Sequence, residues 1–289
     1  MPAMKAFSLN IRGRLVEFDE RPLVMGILNM SPESFHTPRN AGNGEEGLAR
    51  TVAKHMEEGA DILDLGGCST RPGLKSVSEE EETERVRKGM EIIRREAGDD
   101  VLVSVDTFRS SVARKAVEEW GADIINDISG GLLDREMLPT VGELHVPYIL
   151  MHMRGTPETM TELCDYPNGV TGSVLSEMAE RVGAAELEGI CDIIIDPGFG
   201  FAKTVSQNWE LMENLDALAI LHRPILVGVS RKSMITKALG ISTDMALNAT
   251  TALNAFALDR GADILRVHDV AAAREACEMY AILKKSTLN

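Results

Sequence analysis

The chain is poor in aromatic residues, cysteine and basic residues, and each shortage narrows what it can be. Only 4% of its 289 residues are aromatic although 44% are hydrophobic, so aliphatic side chains and methionine must build the core. Four scattered cysteines without a C-x-x-C pair argue against a disulfide framework or a structural zinc site. A net charge of −15 argues against a nucleic-acid or anionic-membrane surface. Any anionic ligand must therefore find a local basic cluster.

Long hydrophobic runs are also missing. Residues 1–22 contain no apolar stretch like that of a signal peptide, and no run reaches the length of a transmembrane helix. We therefore expect a soluble, cytoplasmic protein. The length permits one domain or two, but no linker or low-complexity tract marks a boundary, so one domain over residues 1–289 is expected.

Short aliphatic runs alternate with longer amphipathic segments about eight times. Such alternation indicates a parallel sheet, because parallel neighbours need a crossover connection and a helix is the usual one. Eight units favour a closed (β/α)8 TIM barrel over an open doubly wound sheet, whose G-x-G-x-x-G signature does not follow the first strand. The predicted strands are Val24–Leu28, Ile62–Leu65, Val101–Val105, Ile124–Asp127, Tyr148–Met151, Ile193–Asp196, Ile225–Val229 and Ile264–Val267.

Amphipathic segments between these strands predict helices, and an alternating segment precedes the first strand. Phe7–Phe18 alternates around turn material at 10–13, which predicts a short N-terminal β-hairpin over the bottom of the barrel. The predicted helices are Glu45–Glu58, Ser78–Ala97, Ser110–Trp120, roughly Ser173–Glu188, roughly Ser206–Asp216, Met245–Asp259 and Val270–Lys284.

One tripeptide, Gly-Ala-Asp, occurs three times, starting at residues 59, 121 and 261. The glycine is typical of a helix end in the left-handed conformation, after which the chain enters a strand. Two aliphatic residues follow each repeat, and then a polar one: Asp64, Asn126 and Arg266. A barrel strand buried on both faces should stay aliphatic, so these polar residues need another explanation.

Polar residues stand at the end of all eight predicted strands. Because the active site of a (β/α)8 barrel lies at the carboxyl ends of its strands, these residues are candidates for function. They are Asn29, Asp64, Asp106, Asn126, Asp127, His152, Asp196, Ser230, Arg231, Lys232, Arg266 and His268.

Eight stretches at these strand ends together resemble the dihydropteroate synthase family of pterin-binding barrels, from about Leu23 to Val270. STRPG, SRKS and RVHDV point to the synthases among those barrels. The stretches are MGILNMSPESF (25–35), GADILDLGGCSTRPG (59–73), SVDTFRSSVA (104–113), GADIINDISGG (121–131), YILMHMRGTPETM (148–160), IIDPGFGFAKT (194–204), LVGVSRKSMI (226–235) and GADILRVHDV (261–270).

The resemblance implies a transferase of folate biosynthesis. Such an enzyme condenses 6-hydroxymethyl-7,8-dihydropterin diphosphate with p-aminobenzoate, giving 7,8-dihydropteroate and pyrophosphate. The family's reaction is dissociative, so catalysis would be mainly electrostatic and would need no nucleophilic side chain. A homodimer is also implied, and the alanine- and leucine-rich segments Met245–Asp259 and Val270–Lys284 are interface candidates.

The resemblance also assigns residues to the pterin and its diphosphate. A pterin edge is read by carboxylates, an amide and an ammonium in a planar pocket, with a guanidinium stacked on the ring. By resemblance, the pterin residues are Asp64, Asp106, Asn126, Asp196, Lys232 and Arg266. The diphosphate residues are Asn29, Arg71, Arg266 and His268, with Asn29 acting through Mg²⁺. The catalytic residues among these are Lys232, Arg266, His268 and Asp106.

The p-aminobenzoate pocket implied by the resemblance draws on the loops after four of the predicted strands. Its residues are Phe35, Thr70, Arg71, Pro72, Phe201 and Ser233. The first of these loops departs from the family pattern. Glu33 and Thr37 stand where the family has aspartates, and Pro38 with the arginine after it stands where the family has two glycines. Cys68 likewise replaces a common glutamate.

These departures leave three hypotheses open, in this order: an active synthase with variant loops, a methyltetrahydrofolate methyltransferase-like barrel, and a non-catalytic pterin-binding protein. Four other polar residues are interpreted as structural or as unrelated to nucleotide hydrolysis. They are Asp127, His152, Arg231 and Lys203.

Overall fold

The computed structural model describes residues 6–18, 21–30, 44–68 and 77–286. Within these ranges a hairpin of two antiparallel strands precedes a ring of eight parallel ones. The hairpin consists of β1 (Phe7–Ile11) and β2 (Arg14–Phe18). The ring consists of β3 (Leu23–Asn29), β4 (Ile62–Gly66), β5 (Leu102–Asp106), β6 (Ile124–Asp127), β7 (Tyr148–Met151), β8 (Ile193–Asp196), β9 (Leu226–Val227) and β10 (Ile264–Val267).

The eight parallel strands form a nearly closed barrel in the order β8-β7-β6-β5-β4-β3-β10-β9. A single bridge between Ile195 and Ile225 joins the two ends of this ring. The predicted (β/α)8 fold is therefore confirmed. β9 is shorter than the predicted Ile225–Val229, because the ladder stops before Gly228, and glycine weakens a strand.

Helices follow the strands in alternation and cover the outside of the barrel. They are α1 (Glu45–Glu57), α2 (Glu79–Ala97), α3 (Ser110–Glu118), α4 (Met137–Leu144), α5 (Val170–Leu187), α6 (Val205–Glu213), α7 (Ser233–Leu239), α8 (Leu247–Asp259) and α9 (Val270–Ser286). No helix in the described ranges is long and apolar enough to cross a membrane.

Sequence reasoning gave no bounds for two helices, α4 and α7. Helix α4 contains Pro139 and Gly142, which usually oppose a helix. Pro139 lies in the first turn, where its missing N–H is not needed. A Cβ at Gly142 would lie 2.0 Å from the Glu188 carbonyl oxygen, so glycine there permits close packing against the end of α5.

The Gly-Ala-Asp repeats have one geometry in all three places. Their glycines have φ values of 85°, 72° and 96°, the left-handed region that glycine adopts without penalty. Each aspartate then makes two hydrogen bonds to one residue of the preceding strand segment. Its N–H donates to that residue's carbonyl, and its carboxylate accepts that residue's N–H, all at 2.8–2.9 Å. The pairs are Asp61 with Val24, Asp123 with Val103, and Asp263 with Ile225. This pair of hydrogen bonds fixes the register of each new strand.

The hairpin closes the bottom of the barrel, as predicted. Its turn, Arg12-Gly13, has positive φ at both positions, which suits a tight hairpin. The side chain of Arg12 donates to Asp123 at 2.6 Å, and the N–H of Asn10 donates to Asp192 at 2.8 Å. Two buried hairpin residues join a core cluster inside the barrel: Leu9 and Ile11 pack with Leu23, Met25, Ile62, Ile124, Ile149, Ile194, Leu226 and Ile264.

Candidate active site

The polar residues that follow the three repeats meet in one cluster at the top of the barrel. Nε of Arg266 donates to Oδ2 of Asp64 at 2.6 Å. Nδ2 of Asn126 lies 3.3 Å from both carboxylate oxygens of Asp64. Asp64 itself is fully buried. Each polar residue follows the aspartate of its repeat at the same offset. The carboxylate of Asp64, the amide of Asn126 and the guanidinium of Arg266 therefore lie together at the top of the barrel.

Arg266 also reaches the neighbouring strand β5. Its Nη2 donates to Oδ2 of Asp106 at 2.7 Å, so one guanidinium joins two carboxylates. Burial lowers the pKa of Arg266, but the two carboxylates outweigh burial and hold it above its ordinary value. Burial raises the pKa of Asp106 to about 7, opposed by Arg266 and reinforced by the charge of Asp64. Asp106 is therefore easier to protonate than an ordinary aspartate.

A second acid and base pair faces this cluster from the end of β8 and from the loop after β9. Lys232 precedes α7 and donates to the carbonyl oxygen of Phe199, and its Nζ lies 4.9 Å from the ring centroid of Phe201. Burial lowers the pKa of Lys232 to about 8, opposed by Asp196. Burial also raises the pKa of Asp196, opposed by Lys232 and by the Gly198 N–H, which donates to it at 2.7 Å. Proximity to Asp196 thus keeps this half-buried lysine cationic.

Two further predicted residues lie at the same rim. The N–H of His268 donates to Oγ of Ser230 at 3.2 Å, and its ring Nδ1 lies 3.0 Å from the same oxygen. Asn29 ends β3 opposite Gly66. A Cβ built on Gly66 would lie 3.7 Å from both Oδ1 of Asn29 and Cβ of Asp106, so these two side chains flank one glycine.

The structure brings together part of the predicted p-aminobenzoate pocket. Phe201 is half-buried beside Lys232, and Ser233 is the exposed first residue of α7. The other predicted residues of this pocket lie outside the described residues, as do the altered positions of the first loop. They are Phe35, Thr70, Arg71 and Pro72, and Glu33, Thr37 and Pro38.

Two residues interpreted as structural have partners within the loops of the rim. Asp127 is fully buried and accepts hydrogen bonds from the N–H and Oγ of Ser129, the N–H of Gly131 and the hydroxyl of Tyr148, at 2.7–2.8 Å. Arg231 makes two hydrogen bonds to the carboxylate of Asp269, at 2.6 and 2.7 Å. Both therefore hold loops of the rim in place.

Sequence reasoning missed a buried network beside the site. The sequence predicts a structural role for His152 without naming its partner, and it predicts no nucleotide-binding role for Lys203. The structure places Nζ of Lys203 3.0 Å from Nδ1 of His152, and Nε2 of His152 3.1 Å from Glu177. The available signal was that Lys203 ends the Gly-rich loop that starts at Asp196.

The chemistry of the rim is that of binding and charge stabilisation. Within the described ranges, no group of three or more His, Cys, Asp or Glu residues could hold a metal ion. The rim instead offers paired acids and bases, an amide, and backbone groups of the loops. Such a set can read a polar heterocycle and hold an anion beside it.

Comparisons with known proteins agree with this geometry. The family model described as "Pterin binding enzyme" matches residues 25–268. The dihydropteroate synthase of Synechocystis sp. is 41% identical over 277 residues, covering 92% of this chain and 91% of that protein. A solved Xanthomonas albilineans dihydropteroate synthase with 4-aminobenzoic acid has a TM-score of 0.87 and 37% identity, covering 97% of this chain and 99% of that one. Another from the same organism, in complex with 7,8-dihydropteroate, has a TM-score of 0.83 and 35% identity, with coverages of 96% and 99%.

Proposed function

We propose, given that the chain belongs to the family of pterin binding enzymes, that it is a dihydropteroate synthase. It would join p-aminobenzoate to 6-hydroxymethyl-7,8-dihydropterin diphosphate and release pyrophosphate, as a transferase of folate biosynthesis. The observation that carries this proposal is the guanidinium of Arg266 held by Asp64 and Asp106 beside Asn126. Solved relatives bearing 4-aminobenzoic acid and 7,8-dihydropteroate support the choice of substrates.

The pterin is read by the buried polar groups at the top of the barrel. Asp106 and Asp196 accept hydrogen bonds from the amino and ring N–H groups, Asn126 offers an amide, and Lys232 donates to a ring acceptor. Asp64 holds Arg266 and Asn126 from below, so it acts as the floor of the pocket. Because Arg266, Asp64, Asp106 and Asn126 already form one hydrogen-bonded network, little ordering of these four groups remains when the pterin binds.

The diphosphate is held by cations at an otherwise acidic surface. Arg266 and His268 are two residues apart on one strand end, so they can face the same anion. Arg71 and Asn29 complete this set by resemblance. As pyrophosphate leaves, these groups stabilise the departing negative charge, and the carboxylates of Asp106 and Asp196 stabilise the positive charge on the pterin methylene. The arylamine nitrogen then forms a bond to that carbon and loses one proton to solvent or to the released pyrophosphate.

The donor set at Asn29 fits a magnesium ion only when the substrate supplies most of the ligands. Mg²⁺ typically keeps several waters and takes one or two protein oxygens beside substrate phosphates. Asn29 contributes one such oxygen, Oδ1, at the end of β3 beside Asp106. When bound, the ion would neutralise charge on the diphosphate.

p-Aminobenzoate binds next to Lys232, between Phe201 and Ser233. Phe201 offers a ring face, and Ser233 offers a hydroxyl and an N–H at the start of α7, where a helix favours a carboxylate. By resemblance, Phe35, Thr70, Arg71 and Pro72 belong to the same pocket.

Two further properties belong to this proposal. The protein acts in the cytoplasm, which agrees with four cysteines that form no disulfide. It acts as a homodimer through α8 and α9, where exposed apolar side chains gather.

Turnover is the direct test. Purified protein, Mg²⁺, dihydropterin methyl diphosphate and p-aminobenzoate are mixed, and pyrophosphate and dihydropteroate are measured. Stoichiometric formation of both products is expected. Tight pterin binding without turnover would instead identify a non-catalytic pterin-binding protein, and methyl transfer from methyltetrahydrofolate to a corrinoid would identify the methyltransferase class.

Pterin affinity tests the residue assignment independently of turnover. Asp106→Asn and Lys232→Ala should each weaken pterin binding by about 1–3 kcal/mol, roughly 5- to 150-fold, because each leaves a buried partner unpaired. Lys237→Ala on the exposed side of the same helix is the matched control and should bind normally. Unchanged affinity in Asp106→Asn or Lys232→Ala would refute the pocket.

A further inference from the structure

A second lysine lies behind the loop that carries Phe201, and it is more deeply buried than Lys232. Lys203 is only 8% exposed, and burial lowers its pKa to about 7. Burying an ammonium is unfavourable unless its protons are hydrogen-bonded. Nζ of Lys203 meets three acceptors, each at 3.0 Å: the carbonyl oxygens of Gly198 and Phe201 and Nδ1 of His152. Its three protons are therefore matched.

The histidine in this network is held neutral and in one tautomer. His152 is fully buried, and burial lowers its pKa to about 4. A neutral ring that accepts from Lys203 at Nδ1 must carry its proton on Nε2, which lies 3.1 Å from the carboxylate of Glu177. Nε of Arg154 donates to both oxygens of Glu177, at 3.1 and 3.2 Å. The network is thus anchored on α5.

Almost every carbonyl of the loop between Gly198 and Ala202 has a side-chain donor. Lys203 donates to the carbonyl oxygens of Gly198 and Phe201. Lys232 donates to that of Phe199, and the hydroxyl of Tyr166 donates to that of Ala202 at 2.9 Å. The backbone has positive φ at residues 198, 200 and 202, so this path depends on outside support. The two lysines therefore hold three carbonyl groups of one loop.

We infer that Lys203 is a positioning residue for p-aminobenzoate, acting through the Phe201 carbonyl that it holds and the aromatic ring that this carbonyl places beside Lys232. The inference rests on the proposed function, because it takes Phe201 to be a wall of that pocket. Lys203 does not touch substrate. Without the Lys203 side chain the Phe201 carbonyl loses its hydrogen bond, so the Phe201 ring can move away from Lys232.

A double-mutant cycle separates this role from a general structural one. Lys203→Met should raise the KM for p-aminobenzoate about tenfold, equal to about 1.4 kcal/mol, with kcat and the KM for the pterin substrate changed less than about threefold. In Phe201→Leu the ring is already gone, so adding Lys203→Met should change that KM by less than about twofold. Effects that multiply in the double variant, or an unchanged KM in Lys203→Met, would overturn the inference.

Two further measurements keep the test decisive. Lys203→Gln retains two N–H donors without the charge and should recover part of the affinity lost in Lys203→Met, which matters if the methionine variant folds poorly. Hydrogen exchange of the N–H groups in residues 198–201 should be faster in Lys203→Met than in the wild type, while residues 124–127 are unchanged. Lys237→Met is the matched control. If the wild type shows no turnover, the proposed function fails, and unaltered exchange of residues 198–201 would separately refute the anchoring.

Discussion

Two opposing effects act on the pKa of Asp106 at the rim. Burial and the nearby charge of Asp64 favour its protonated form, whereas Arg266 favours its charged form. Burial prevails, and the pKa rises from 3.8 to about 7. A carboxyl that titrates near neutrality can change its charge when a pterin cation or a neutral pterin lies beside it.

The raised pKa of Asp106 predicts a pH dependence of stability. Because the folded state holds this proton more tightly than the unfolded state, its contribution is fully present below about pH 4 and is lost as the pH rises through about 7. The free energy of unfolding of the wild type should therefore fall relative to that of Asp106→Asn between pH 5 and 8, by on the order of 1–3 kcal/mol. Urea unfolding at four pH values measures this difference.

Asp134 provides the control of opposite sign. Its pKa is lowered, mainly by hydrogen bonds from Ser110 that outweigh burial, so its stabilisation is already complete above pH 5. Asp134→Asn should keep a constant difference from the wild type over the same range. A parallel course of wild type and Asp106→Asn would contradict the raised pKa of Asp106.

Sequence could predict single residues where a repeated pattern fixed their position. Asp64, Asn126 and Arg266 follow equal offsets, so their meeting at the rim was predictable without coordinates. The contact of His152 with Lys203 was not, because the two residues are 51 positions apart and belong to loops after different strands. Which atoms such loops bring together depends on their irregular path, which no periodicity describes.

At the scale of elements, periodicity predicted the strands better than their connections. Seven of the eight barrel strands lie within one residue of their predicted bounds at both ends, and β6, β7, β8 and β10 match at both ends. The failures have local causes. Proline and glycine hid α4, and α7 has only seven residues, too few for a clear amphipathic pattern. The sequence identifies the loop after β8 as a motif. It does not predict the positive φ of Ala202, because a residue other than glycine rarely adopts that conformation.

The loop after β8 yields a test at this scale. Gly198 has φ of 69°, and a Cβ there would lie 2.0 Å from the carbonyl oxygen of His152. Gly198→Ala should lower the free energy of unfolding by about 2–4 kcal/mol, through left-handed strain and a backbone clash together. Gly121→Ala has φ of 72° at a site with nothing within 4 Å, and should lose only about 1–2 kcal/mol. Urea unfolding measures both losses. Equal losses of unfolding free energy in the two variants would mean that the backbone moves away from the added Cβ at residue 198 without a further loss of stability.

At the scale of the whole molecule, the barrel buries one side of its helices and leaves one pair with an apolar outer side. Helix α8 buries Leu253 and Ala257 against the barrel, yet its opposite side exposes Phe256. A helix that is apolar on both sides is usually covered on both. The adjoining α9 adds exposed apolar residues of its own: Met279, Ile282 and Leu283. These four exposed residues, on two helices that pack together, favour a second copy of the chain as their cover.

This outer face predicts a homodimer that one charge should break. Phe256 is 55% exposed, and Phe256→Glu would place a carboxylate where two apolar faces meet, so the variant should dissociate to monomers at concentrations where the wild type is dimeric. Leu187→Glu is the matched control, because Leu187 is 89% exposed but lies at the end of α5. Sedimentation velocity over a range of concentrations distinguishes the species. A monomeric wild type would contradict the proposed dimer, and a dimeric Phe256→Glu would move the interface away from α8. Because the rim is built within one chain, pterin affinity should stay the same in both variants.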